Sequence, residues 1–182
     1  MAERIGDEVV VEDFRRSDEV SFERLVEKYS GDVELLANRL LGWPGEVEDI
    51  TQDVFLAAFI GMKKFRHDCD IKTWLFTITI NKCRTFRYKQ FLHRRKILKK
   101  RDNESHPAAE RKLQDDETFE KVRNAVKALP ARYREAVVLR YLQEFENEEI
   151  SKILGISINA LHVRLNRGRE RLKNDLAGIL EL

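Results

Sequence analysis

Apolar residues recur along most of the chain at three- and four-residue intervals, the spacing that places them on one face of an α-helix. In the first half this pattern begins at Ser21, which we interpret as a helix N-cap. A Trp-Pro-Gly turn over residues 43–45 and a polar loop over residues 66–70 interrupt the pattern. The helices predicted for this half are 21–41, Glu46–Lys64, and a third that runs from Ile71 to about Lys89 and becomes strongly basic up to Arg101.

A second apolar unit begins near Phe119, after a polar stretch over residues 102–110 that we interpret as a linker. Pro130 ends the first helix of this unit. The later helices are predicted over Tyr133–Leu142, from Asn147 or Glu148 to Gly155, and from Ile158 to about Leu176. Because no segment shows the sustained alternation of a strand, the sequence predicts an all-α protein of two small helical domains joined by a flexible linker.

Composition narrows the possible functions. The 182 residues provide room for one ordinary domain or two small ones, and 42% of them are hydrophobic, which is enough for packed cores. Two cysteines cannot form a disulfide framework, and no pair has metal-site spacing, so we expect a cytoplasmic protein without metal or cofactor. The N-terminus lacks the apolar run of a signal peptide, and no segment has the length of a membrane helix. No arrangement of nucleophile, base or phosphate loop indicates an enzyme.

The charge is distributed unevenly along the chain. Residues 1–60 hold 6 basic and 15 acidic side chains, whereas residues 61–101 hold 14 basic and 2 acidic ones. A second basic cluster near the C-terminus consists of Arg164, Arg167, Arg169 and Arg171. A single basic run is most simply interpreted as a solvated face. Two such runs separated by an acidic segment indicate two contacts with a polyanion, for which nucleic acid is the first candidate.

The segment from Asn147 to Leu161 predicts a helix-turn-helix. Gly155 permits a left-handed turn, Ile156 fills the joint between the helices, and Ser157 caps the second helix. Polar residues at the start of such a helix meet base edges, and arginines behind them meet phosphates. The alternative is an ordinary helical hairpin with solvated arginines. The positions expected to face inward on the second helix are Ile158, Leu161 and Leu165.

From about Val20 to Leu176 the chain resembles the extracytoplasmic-function (ECF) group of sigma factors, the smallest members of the sigma-70 family. Four segments in the family's order carry the resemblance. Residues 49–59 (DITQDVFLAAF) resemble region 2.2, and residues 65–81 resemble regions 2.3 and 2.4. Residues 129–137 (LPARYREAV) resemble the start of region 4, and residues 148–172 resemble region 4.2. The resemblance implies a sigma-2 and a sigma-4 domain in a subunit that directs core RNA polymerase to promoters.

The resemblance also implies the domain organisation. It divides the chain into an acidic N-terminal tail, a sigma-2 domain, a linker through the RNA exit path of the polymerase, and a sigma-4 domain that carries the helix-turn-helix. The implied partners are core RNA polymerase, through its β′ and β subunits, promoter DNA and an anti-sigma factor, with no direct membrane insertion. The boundaries of the four segments are 1–19, 20–95, 96–116 and 117–182.

The region 2.2 helix is expected to bind a coiled coil in the β′ subunit. Three of its polar residues, Asp49, Gln52 and Asp53, recur at i, i+3 and i+4, so they share one face of the helix. Without the rest of the chain this face would be interpreted as an ordinary solvated one. The predicted polymerase-binding residues are Asp49, Ile50, Gln52, Asp53, Val54 and Leu56.

The resemblance implies that the loop after this helix and the next helix bind the minus-ten promoter element, where a base is flipped out of the duplex. Aromatic and basic groups offset the cost of unstacking a base. We interpret Trp74 as a core residue, and Phe65 has the same alternative interpretation. Thr85 stands where many relatives have Asp, four residues after Asn81. The predicted minus-ten residues are Phe65, Arg66, His67, Asn81, Lys82, Arg84, Arg87 and Lys89.

The second helix of the helix-turn-helix is expected to read the minus-thirty-five element as duplex DNA. A stand-alone helix-turn-helix regulator that binds DNA as a dimer is the alternative function. The region 2.2 helix argues against it, since such a regulator has no need of a polymerase dock. The predicted minus-thirty-five residues are Asn159, Ala160, His162, Val163, Asn166 and Arg167.

Overall fold

The computed structural model describes residues 19–41, 44–66, 68–100 and 117–177, and within these ranges the protein is helical without any strand. The predicted all-α class is therefore confirmed. The helices are α1 (Glu19–Leu41), α2 (Pro44–Met62), α3 (Ile71–Lys100), α4 (Glu117–Ala128), α5 (Ala131–Val137) with a π-helical continuation (Val138–Leu142), α6 (Asn147–Leu154) and α7 (Ile158–Asp175). None of the described helices is long and apolar enough to cross a membrane.

Helices α1, α2 and α3 form the first unit. Their apolar stripes meet in a core in which Leu36, Val54, Met62 and Leu75 have no exposed surface. Each stripe follows the helical spacing of the sequence, so burial of the stripes explains why three separate helices pack as one bundle.

Helices α4 to α7 form the second unit around Ala136, Leu139, Ile150 and Leu161, which are likewise completely buried. Between α5 and α6 the chain makes a π-type hydrogen bond from Gln143 N to the Val138 carbonyl at 3.0 Å. It then passes through Glu144, the only non-glycine residue of the described ranges with a positive φ, at 57°. These two irregularities directly precede Phe145, whose buried ring belongs to the core that both units share.

The two units pack against each other. The Phe145 ring lies 5.2 Å from the ring of Phe76 in α3, centroid to centroid, and both side chains are buried. Arg134 Nη1 of α5 donates to the Leu40 carbonyl of α1 at 2.6 Å, and Arg39 of α1 donates to the Leu142 carbonyl. The two predicted helical units therefore share one continuous core in this closed arrangement, which the sequence analysis did not foresee.

Several predicted boundaries are wrong in detail. Ser21 lies inside α1, so it is not an N-cap. Pro44 and Gly45 belong to the first turn of α2, where a proline is favourable because the first helical N–H needs no partner. Helix α3 ends at Lys100, close to the predicted end of its basic stretch at Arg101. The predicted N-terminal tail, up to residue 18, and residues 101–116 of the predicted linker lie outside the described residues.

Gly168 lets α7 approach α5 closely. A Cβ atom at this position would lie 2.6 Å from Cγ2 of Val137, well inside a normal contact distance. We expect Gly168→Ala to lower the free energy of unfolding by about 1–2 kcal/mol, because overpacking costs ~1–3 kcal/mol and the better helix propensity of alanine returns less than ~1 kcal/mol. Urea denaturation of the two proteins measures this difference.

The same substitution at Gly31 provides the control. Gly31 also lies within a helix, but a Cβ atom there would meet nothing within 4 Å. Gly31→Ala is therefore expected to stabilise the protein by ~0.5–1 kcal/mol. Val137→Ala, which removes the clashing methyl group, should cost less stability in the Gly168→Ala background than in the parent protein. Equal stability of the two single variants would contradict the close approach of α7 and α5.

Candidate functional site

The outer face of α2 combines carboxylates with exposed apolar side chains. Asp49, Gln52 and Asp53 are exposed, and Leu56 retains 58% of its accessible surface. An exposed apolar residue indicates a binding surface only where it belongs to a larger apolar patch rimmed by polar residues. The structure thus brings together four of the six predicted polymerase-binding residues.

The other two predicted dock residues are buried. Ile50 is 5% exposed and Val54 is completely enclosed, so neither side chain lies on the outer face of α2. The prediction that they bind directly is corrected on this ground. They lie on the core side of α2 and support the dock from behind. The family motif is a run of consecutive residues and therefore includes both faces of the helix, whereas a partner contacts only one face.

Two further exposed residues of the same helix are absent from the predicted dock. Phe59 is 42% exposed and Ile60 is 68% exposed, and both follow Leu56 within about one turn. The signal was available, because the apolar run Leu56–Ile60 is too continuous for a helix with a single buried face. We call Asp49, Gln52, Asp53, Leu56, Phe59 and Ile60 the α2 face.

A cleft of about 360 Å³ separates the α2 face from α3. Across it, Lys82 Nζ lies 3.5 Å from Asp53 Oδ2, an ion pair between a half-buried lysine and an exposed aspartate that solvent weakens, so that other partners can replace it. Asn81 and Lys89, both predicted minus-ten residues, are exposed at the same cleft. Thr85 uses its hydroxyl to donate to the Asn81 carbonyl at 3.0 Å.

Two of the predicted minus-ten arginines have an acidic partner in the second unit. Arg84 Nη2 lies 2.7 Å from Glu135 Oε2, and Arg87 donates to the other carboxylate oxygen. The Glu135 side chain is only 3% exposed, whereas those of Arg84 and Arg87 are 36% and 24% exposed. In the closed arrangement these arginines therefore already bind an anionic group of their own chain.

The loop before α3 contributes less than the sequence analysis expected. Phe65 is 6% exposed, and its ring lies 5.0 Å from that of Trp74, which is half-buried against the core. The alternative interpretation of Phe65 as a core residue therefore describes its place in this structure, as does the core interpretation of Trp74. Arg66 is exposed, and His67 lies outside the described residues.

The helix-turn-helix has the local geometry that the sequence predicts. Gly155 ends α6 in the left-handed region at φ 66°, and the Ser157 hydroxyl accepts from the Ala160 N–H at 3.2 Å. Glu146 and Glu149 form a capping box at the start of α6, which begins at Asn147. Gly155 and Ser157 thus define the turn between α6 and α7, and the capping box defines the start of α6.

Helix α7 presents most of its predicted residues to solvent. Asn159, His162, Val163, Asn166 and Arg167 are exposed, whereas Ala160 is half-buried. Two of the three positions expected to face inward, Leu161 and Leu165, are buried. Ile158 is 40% exposed, so the expectation for this position is wrong: the first residue of the helix projects beyond the core.

Two of these polar side chains bind residues three positions further along the same helix. Arg167 forms an ion pair with Glu170 at 3.1 Å in which both side chains are 63% exposed, and Asn166 accepts from Arg169. Surface pairs of this kind contribute at most ~1 kcal/mol, so a DNA phosphate or base can replace them at low cost.

Comparison with known proteins identifies both units. The family model described as Sigma-70 region 2 matches residues 25–91, and the model described as Sigma-70, region 4 matches residues 119–172. These two ranges contain α2, most of α3 and the whole helix-turn-helix. Together they cover more than half of the chain.

Curated relatives match over nearly the whole length. The chain is similar to the ECF RNA polymerase sigma-E factor of Escherichia coli strain K12, with 28% identity over 99% of each chain. It is also similar to the ECF RNA polymerase sigma factor SigW of Bacillus subtilis, with 28% identity over 91% of this chain and 94% of the relative.

Solved structures show the same fold. The sigma factor RpoE of Bartonella quintana, crystallised with the anti-sigma factor NepR, is similar with a TM-score of 0.66 and 25% identity over 86% of this chain and 96% of that one. CnrH, in complex with the cytosolic domain of CnrY, has a TM-score of 0.69 and 24% identity over 95% and 98% of the two chains. With both sigma-70 regions present in order, and with ECF sigma factors matched over 91–99% of this chain, the chain belongs to the sigma-70 family, as a sigma factor of the ECF group.

Proposed function

We propose that this sigma factor binds core RNA polymerase through the α2 face, directs it to promoters through α3 and α7, and is controlled by an anti-sigma factor. The observation that carries the proposal is that an acidic and apolar α2 face lies beside a cationic α3 within one small unit. The acidic residues meet basic groups of the polymerase, and the exposed apolar side chains supply the buried contact area. The proposed subunit contacts are β′ for the α2 face and β for the second unit.

The minus-ten element binds along α3. Arg66 and Asn81 face the separated strand, and Lys82 and Lys89 contact its phosphates, as do Arg84 and Arg87 once they are released from Glu135. Phe65 supports this surface from the core, and His67 belongs to the same proposed site. Phosphate contacts of this kind position the DNA, whereas contacts to base edges give sequence specificity.

The minus-thirty-five element binds at α7 as duplex DNA. Entry of a helix N-terminus into the major groove brings its first exposed residues to the base edges. The polymerase and the chromosome share the cytoplasm, which is where we place the protein. It supplies binding energy and specificity rather than a catalytic centre. The residues proposed to face the groove are Asn159, Ala160, His162, Val163, Asn166 and Arg167.

A run-off experiment tests the function. Promoter fragments are first selected from random DNA that is bound in the presence of core polymerase and this protein. The selected fragment is then transcribed with core alone, with the protein alone and with both. A transcript that requires both components supports the proposal. Absence of a transcript, combined with tight binding of the protein alone to a two-fold symmetric site, would instead identify a stand-alone regulator.

Substitution of Arg167 tests the recognition helix. We expect Arg167→Ala to weaken holoenzyme binding to the selected promoter by about 1–3 kcal/mol, or roughly 5- to 150-fold, if the guanidinium contacts a base. Dissociation constants measured at one fixed salt concentration give this value. Arg123→Ala, which removes an exposed arginine from α4, is the control and should leave promoter binding unchanged. Equal binding by both variants would place Arg167 outside the DNA interface.

A further inference from the structure

Glu135 forms a charge cluster between the two units. Its carboxylate receives hydrogen bonds from Arg84 Nε and Nη2 at 3.2 and 2.7 Å and a further one from Arg87. It stands 48 and 51 residues from these arginines in sequence and is 3% exposed. A carboxylate buried to this degree is normally retained only with close cationic partners.

The geometry of this cluster resembles the recognition of a phosphate. Two guanidinium groups that converge on one pair of oxygens form an arrangement that proteins use for carboxylates and for phosphates alike. Arg87 Nη1 is buried and has no hydrogen-bond partner among the described residues. A DNA phosphodiester presents two charged oxygens, as the Glu135 carboxylate does, so it can take the place of this carboxylate between the two guanidinium groups.

The contact between the units has an apolar and a charged part. The two units share one apolar core, which includes the Phe76–Phe145 pair, and charged side chains add further bonds across the contact, including the one from Arg134 to the Leu40 carbonyl. Burial lowers the pKa of Arg134, and its Nε also lacks a partner among the described residues. Buried donors without a hydrogen-bond partner make the contact between the units less stable than it could be. A competing ligand therefore needs less binding energy to displace the second unit.

We propose that Glu135 occupies the site at which Arg84 and Arg87 bind a promoter phosphate, so that the closed chain withholds these arginines from DNA until the second unit moves away. This inference rests on the proposed function, since it assumes that the two arginines bind the minus-ten strand. Closure then reduces the apparent DNA affinity of the isolated chain by the fraction of molecules that are open. When Glu135 is released, Arg84 and Arg87 become available to DNA at the same time.

Cys83 is a built-in probe of this closure. It lies one helical turn before Arg87 and has no exposed surface. Burial is the main cause that raises the pKa of the Cys83 thiol to about 12, while the charges of Arg87 and Glu135 are close enough to influence it. Because the thiolate is the reactive form, the closed chain should react slowly with iodoacetamide at pH 8, and opening should accelerate the reaction. Cys69→Ser in every protein leaves Cys83 as the single thiol.

The first measurement compares Glu135→Gln with Glu148→Gln, an exposed glutamate of α6 whose replacement changes the net charge equally. We expect Glu135→Gln to accelerate alkylation of Cys83 by about tenfold, because a neutral amide no longer compensates two partly buried arginines. Glu148→Gln should react like the parent protein. Equal rates in all three proteins would overturn the proposal. Addition of a 20-nucleotide oligothymidine to the parent protein should also accelerate the reaction, a measurement that needs no variant at Glu135.

The second measurement is the affinity for the same oligothymidine at fixed salt. Glu135→Gln should bind it roughly tenfold more tightly than either the parent protein or Glu148→Gln. The gain should disappear when Arg84→Gln and Arg87→Gln are added to Glu135→Gln. An open Glu135→Gln chain without tighter binding would overturn the phosphate-site assignment. Failure of the proposed function is a separate result, because it appears as the absence of a run-off transcript from the parent protein with core polymerase.

Discussion

Replacing both Asp49 and Asp53 by lysine should abolish binding to core polymerase while leaving the helical fold intact. Each carboxylate that becomes desolvated in an interface costs on the order of 2–5 kcal/mol when it is removed, so the double variant should lose at least about 1000-fold in affinity. Reversal of charge adds repulsion from the same basic partner. At Asp53 it also places an ammonium group beside Lys82, whose Nζ now lies 3.5 Å from the carboxylate. The fold should survive because both side chains are exposed.

The affinity for core is measured by titration of labelled protein with purified core polymerase, without an anti-sigma factor. Glu27→Lys combined with Glu34→Lys gives the matched control, because it makes the same change of charge at two exposed positions of α1. Circular dichroism and urea denaturation confirm that both double variants remain folded. Undiminished affinity of the Asp49 and Asp53 variant would move the polymerase dock to another surface.

The helix-turn-helix could be predicted from the sequence because its signals act over a few residues. Gly155 adopts the left-handed conformation that its missing Cβ favours, and Ser157 caps the next N–H groups. Neither interaction depends on the rest of the chain. The prediction that Ile158 faces inward is wrong for a non-local reason. Its exposure depends on how far the core of the second unit extends beyond the turn.

The polymerase dock could be predicted only in part. A motif recognised as a run of residues does not separate its two faces, and the predicted dock therefore includes Ile50 and Val54, which lie in the core. The helical period places both on the apolar face of the helix with Val47 and Ala58, in agreement with their burial. Phe65 is a similar case, since its burial depends on Trp74 in the following helix.

The closed arrangement could not be predicted because its contacts join distant parts of the chain. Arg84 and Glu135 are 51 residues apart, and no local pattern connects them. An unusual backbone prepares the Phe145 contact: the π-helical turn and the positive φ of Glu144 precede a phenylalanine that leaves its own unit. Such irregularities have no reliable sequence signature, which is why the sequence indicated two units but not their mutual packing.

Phe76→Ala should cause the largest loss of stability, because this ring is completely buried and belongs to the contact between the units. Removal of a buried phenylalanine side chain costs about 3–5 kcal/mol, a large part of the stability of a small domain. Urea denaturation measures the loss. Tyr88→Ala removes an aromatic side chain of the same helix that is 63% exposed, and it should change stability by less than ~0.5 kcal/mol.

A double-mutant cycle with Phe145→Ala separates the contact between the units from the packing inside each of them. Rings at 5.2 Å and 52° should give a coupling energy of about 0.5–1.5 kcal/mol beyond the two single losses. This energy arises only where the two rings meet, so it reports the closed arrangement independently of the charges around Glu135. A coupling near zero, with a large loss for Phe76→Ala alone, would mean that Phe76 stabilises its own bundle while the units stand apart in solution.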